Sequence, residues 1–100
     1  MYGTIATMNV KKGHEDKLIS VFNNTDKAEG QIAWLLMNPD NQDEWIGVAV
    51  FESKQAHIDN ANSPETNKMY EIVIQHLETE PTWTDGNFLI TNIWWYKMLI

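Results

Sequence analysis

The sequence predicts an α+β domain: a ferredoxin-like, split-βαβ arrangement around an antiparallel sheet, doubled by a second copy into a dimeric α+β barrel. Three observations lead there. Strand and helix patterns follow one another in the order β-α-β-β-α-α-β. Two of the strands are apolar on both faces, so both faces of their sheet need a cover. The closing stretch, residues 88–100, holds ten large apolar or aromatic residues out of thirteen, with Lys97 its only charge.

One hundred residues make one domain, 1–100, with the 88–100 stretch as a C-terminal strand and dimerisation tail. The hydrophobic share of 43% is enough for a core and too high for a disordered chain. A domain this small buries a modest fraction of its surface and gains stability by pairing with its own copy.

Tyr2 to Val10 is β-branched and roughly alternating, which suits a first strand. Lys11-Lys12-Gly13 is a turn. In the next stretch Leu18, Val21 and Phe22 share a helical face, and Glu15 and Asp16 lie in the first turn, where the helix dipole favours acids. Gly30 precedes a second strand, Gln31 to Met37. The cluster from Asn38 to Asp43 reads as a hairpin loop, and Trp45 to Phe51 as the third strand, with Gly47 admitting the close approach of another group. A short helix covers Lys54 to Ala61. Ser63 is a good N-cap and Pro64 a good first residue for a second helix, which buries Met69, Val73 and Leu77 until Pro81 stops it. The chain then turns into its last strand, Phe88 to Ile100. So apolar a strand cannot stay solvated and is expected on a second subunit.

Composition excludes several function classes. The formal charge is −7, from fourteen acids against seven lysines and no arginine. Nucleic acid needs a cationic face and is rejected as a partner. Zero cysteines remove disulfides, thiolate metal sites and cysteine nucleophiles. No histidines fall at i, i+4, and there is no EF-hand loop, phosphate loop or nucleophile elbow, so no metal or cofactor is expected. No signal-peptide pattern and no apolar run of about 18 residues is present, which argues against a membrane and for the cytoplasm.

Lys12-Gly13-His14-Glu15, Gly30 at the second strand, and Phe51-Glu52-Ser53-Lys54-Gln55-Ala56 together resemble the antibiotic biosynthesis monooxygenase domain, of the dimeric α+β barrel superfamily. Ser63-Pro64-Glu65 and the run from Leu77 to Gly86 resemble a largely uncharacterised branch of it. The best-studied branch oxidises polyphenols with O2 and no cofactor. The resemblance sets its pocket tryptophan at Phe51, its tyrosine at His57 and its strand asparagine at Gly47; its histidine falls near Met37, and its arginine has no counterpart. A haem-degrading branch uses an asparagine, a tryptophan and an axial histidine, which fall near Ala6, Asn60 and Tyr70. Haem chemistry is therefore disfavoured.

The candidate site is His57 as catalytic proton acceptor, with Trp34, Trp45, Phe51, Asn60 and Tyr70 lining the substrate. Each has a plainer reading: His57 as a surface residue, the tryptophans as core, Asn60 as a turn residue satisfying backbone. His76 reads as a cation near a helix end and His14 as a solvated turn residue. Trp94 and Trp95 are assigned to the subunit interface. Two functions follow: a cofactor-independent monooxygenase of a small electron-rich aromatic such as a quinol or polyphenol, or a non-catalytic dimer that binds or senses a small apolar or aromatic molecule.

Overall fold

The computed structural model describes residues 1–94. Its elements are β1 (Tyr2–Met8), α1 (Glu15–Asn23), β2 (Gln31–Met37), β3 (Trp45–Phe51), α2 (Lys54–Ala61), α3 (Pro64–Ile74) and β4 (Thr82–Asn87). The four strands form one antiparallel sheet in the order β2-β3-β1-β4. This is the ferredoxin-like α+β fold that the order of elements implies.

Local chemistry explains most boundaries. Ser63 Oγ accepts the Thr66 N–H and Pro64 takes the first helical position, so α3 starts where the sequence says. Ser53 caps α2 in the same way through the Ala56 N–H. Gly30 opens β2 at φ 76°, a backbone that side chains avoid. A Cβ there would also come within 2.7 Å of the Ala56 Cβ, so the turn sits directly against α2.

Two boundaries differ from the sequence reading. Helix α3 ends at Ile74, not at Pro81, because Leu77 leaves the helix to bridge Val10 beyond the end of β1. Among the described residues the last strand is Thr82–Asn87, ahead of the expected 88–100: apart from Trp83 its residues are small or polar, and they pair with β1 at every position from Tyr2 to Thr7. Backbone register outweighed hydrophobicity there. Residues 88–94 lie outside any strand, and positions 95–100 of the expected tail, Trp95 included, fall outside the described residues.

The core lies between the sheet and the helices. Met8, Leu18, Trp45, Val73 and Leu77 form its buried cluster, with Phe22, Trp34 and Met69 packed against it. By alternation the other sheet face presents Ile5, Ala33, Leu35, Met37, Ile46, Val48 and Val50. Among these Ile5, Leu35 and Met37 are 40–62% exposed. Among the described residues that second apolar face, expected from both-sided strands, is covered only in part, by Phe88 over Gly3.

Candidate active site

The helix-facing side of the sheet has a floor of small side chains. Thr4 pairs with Ala49, and Ala6 with Gly47, across the two central strands. The edge strands carry large residues in the same rows. Trp34 is opposite Ala49 and Leu36 opposite Gly47 on β2, while Trp83 is opposite Ala6 on β4. One row further on, Tyr2 pairs with Phe51 and closes that end of the floor. Strand pairing alone thus sets rows of small residues, closed over in this structure, between larger aromatic ones.

Gly47 supports this most directly. A Cβ at that position would run into Cη2 and Cζ3 of the Trp34 indole, and would come within 3.3 Å of the Met8 methyl. The glycine lets the indole lie flat on the strand, as expected for a glycine inside a strand. Phe22 of α1 holds the same indole from the other side, with ring centroids 5.0 Å apart.

His57 projects from α2 to the Tyr2–Phe51 end. Its ring is 5.3 Å from Phe51, edge on, and 5.4 Å from Tyr2. The Lys54 ammonium lies over the Tyr2 ring at 5.9 Å, within cation–π range. The imidazole is therefore half-buried among rings rather than paired with a carboxylate.

The other expected site residues fall into separate places. Tyr70, on α3, stands beside Trp83 with centroids 6.3 Å apart. Burial first, and the negative Glu80 second, raise its phenol above the ordinary value, so it stays a neutral O–H donor. Such a phenol is ill suited to bind iron as phenolate. The Asn60 carbonyl oxygen accepts the Thr66 hydroxyl at 2.7 Å, within a cluster completed by Ser63, so that oxygen serves the α2–α3 junction. Trp45 is 6% exposed and belongs to the core. Trp45 and Phe51, the residue whose ring His57 meets, stand at opposite ends of β3, roughly 20 Å apart at strand spacing.

Trp34 and Trp45 do meet elsewhere. With Ile19, Phe22, Asn23, Leu36 and Asn38 they line a cleft of about 390 Å3 between α1 and the β2 edge. No lining side chain is charged, and two carboxamides supply its polarity. A second cleft, of about 510 Å3, runs between α1 and α3 over Val21, Met69 and Ile72, with Glu65 and Lys68 on its rim. Among the described residues no group of three or more His, Cys, Asp or Glu side chains could hold a metal ion. Nor is any helix among them long and apolar enough to cross a membrane.

Residues 1–71 match the family model described as antibiotic biosynthesis monooxygenase. The chain belongs to that family. No curated protein is similar enough to count as a relative. Solved structures agree in fold. A protein described as an antibiotic biosynthesis monooxygenase superposes with a TM-score of 0.72 at 12% identity, over 90% of this chain and 100% of its own. Rv0793 from Mycobacterium tuberculosis gives 0.70 at 16%, over 90% and 96%. SnoaB from Streptomyces nogalater, a cofactor-independent oxygenase studied as a variant, gives 0.76 at 15%, over 90% and 94%.

Within this monooxygenase family fold, the sequence reading missed the floor. Thr4 and Ala6, and Gly47 and Ala49, are small residues at i, i+2 on two strands, a visible signal once the strands are known to pair in register. It also read His14 and His76 as solitary, whereas the structure brings their rings together. Nothing local marks that pair, because 62 residues separate its members.

Proposed function

We propose that this chain is a cofactor-independent monooxygenase of a small electron-rich aromatic, quinol-like or polyphenol-like, with the floor as its substrate seat. The observation that supports it best is the position of His57, held edge-on to Phe51 where the aromatic-walled floor ends. The family and one structural neighbour described as a cofactor-independent oxygenase argue in the same direction.

In this reading His57 takes the phenolic proton. The resulting anion gives one electron to O2, and the radical pair joins at a ring carbon. The proton returns to the peroxide formed, and loss of water leaves a quinone. One oxygen atom ends in the product and the other in water, so no external reductant is consumed. Trp34 and Phe51 are the walls.

Thr4, Ala6 and Ala49 are only 2–8% exposed, so a substrate must part the helix layer to reach them. Helix α2 is the element that gives way, since it buries none of its own residues completely. Oxygen uptake with a panel of quinols tests the reading. His57→Ala should lower turnover by about 100-fold to 10,000-fold, the range of general-base catalysis. Unchanged turnover removes His57 from the mechanism.

The cleft that Trp34 and Trp45 share favours the second reading, a binder without turnover, because its neutral aromatic lining has the size of a small-molecule site. Thermal stabilisation by 2-naphthol with no oxygen uptake selects that reading.

The partner in either case is a second copy of the chain. Among the described residues Ile5, Leu35 and Met37 leave one sheet face apolar and 40–62% exposed, and the Phe88 ring lies over Gly3 on the same face. Leu89, Ile90 and Trp94 beyond it are at least 80% exposed. Two such faces, with their tails, cover each other and complete the dimeric barrel.

A further inference from the structure

Two of the three histidines meet away from the floor. His14 precedes α1 and His76 follows α3, and their Nδ1 atoms are 3.0 Å apart. The ring centroids are 5.3 Å apart at an interplanar angle of 57°. A contact of this length between imidazole nitrogens is a hydrogen bond when one carries a hydrogen and the other a lone pair. The contact is satisfied as long as one of the two rings is neutral and presents its Nδ1 lone pair. Once both rings are imidazolium, neither Nδ1 can accept and two cations face each other.

The surroundings decide what the pair is for. Burial first, then His14, Lys17 and Lys11 in that order, hold His76 below its ordinary pKa. Lys11 comes from the β1–α1 turn and Lys17 from α1. The acids nearest in sequence, Glu15, Asp16 and Glu78, are exposed, and none is among the charges acting on His76. Two imidazoles beside two ammonium groups are a poor seat for a metal cation. Among the described residues no third ligand joins them. The chemistry suits a proton.

The pair also sits where the chain is tied together. The Lys11 N–H donates to the His76 carbonyl at 2.8 Å, the Glu78 N–H to the Asn9 carbonyl at 2.7 Å, and Val10 bridges Leu77. We propose that His14 and His76 form an acid-labile clasp, which pins the start of α1 to the segment after α3 and opens when the pair takes up a second proton. Helix α1 carries Leu18, fully buried, and Phe22, which braces Trp34. Opening the clasp loosens the helix layer above the floor.

The sign follows from linkage. The His76 pKa is lowered in the folded chain from 6.5, so the unfolded chain binds this proton more readily. The contribution is whole above that value and is lost as pH falls through the lower, folded one. With one net proton taken up on unfolding, the unfolding constant rises by up to about tenfold per pH unit in that window.

Urea unfolding of the full chain, in steps from about pH 8 to about pH 5, tests this in the wild type and in His76→Gln. The wild type should lose stability more steeply with acid than the variant, by up to about tenfold per unit in the unfolding constant. Parallel profiles overturn the clasp. Should His76→Gln not fold, NMR titration of the imidazole nitrogens in the wild type decides instead. The expected result is coupled, two-step proton uptake, with α1 first-turn amides shifting at the second step. Two independent single-site curves with unmoved amides overturn the proposal.

Discussion

The two faces of this sheet are built from the same strands and present different side chains. On the helix side, the central rows narrow to Thr4, Ala6, Gly47 and Ala49, and aromatic rings stand around them. On the other side the same strands present Ile5, Val48, Val50 and Leu35, a continuous aliphatic surface with the Phe88 ring at one end over Gly3. The small residues are closed over by the helices and by the Trp34 indole, whereas Leu35 and Ile5 opposite stay 62% and 40% exposed. A one-residue alternation thus separates the proposed substrate seat from the proposed partner surface.

The largest effect should come from the helix side. Phe51→Ala removes a ring that is 1% exposed and the edge contact to His57, and should cost about 3–5 kcal/mol in urea unfolding. A loss comparable to that of a surface substitution contradicts the assignment of Phe51 to the closed face. Next, Gly47→Val puts a branched side chain where the Trp34 indole lies. It should destabilise by about 1–3 kcal/mol and change the near-UV circular dichroism of that indole. Smaller again, Ser63→Ala removes the α3 cap and a partner of Thr66, with a loss of about 1 kcal/mol. Leu35→Lys, at a position 62% exposed, should leave the protomer's far-UV spectrum unchanged and act only on assembly.

The sequence made most of this contrast legible, and the exceptions share a cause. The helix caps at Ser53 and Ser63 and the glycine at the start of β2 are local signals with local reasons, so they could be read directly. The second apolar face was visible because β2 and β3 lack a polar side. The fourth strand was misplaced because Thr82–Asn87 has little hydrophobic pattern; it is a strand by virtue of its hydrogen bonds to β1. The grouping of the site residues was illegible for the same kind of reason. His57 and Phe51 meet, whereas Trp34 and Trp45 meet elsewhere, and only strand register separates those pairs. The His14–His76 contact is the extreme case, joining two helix ends with no shared motif.

The division of labour between the faces is tested most directly by sedimentation equilibrium of the wild type beside Leu35→Lys at micromolar concentration. The account predicts a wild-type species of twice the 11.6 kDa chain mass, and a variant at the chain mass with an unchanged fold. A wild-type chain that sediments at 11.6 kDa contradicts it, because the aliphatic face would then stand in water without a partner.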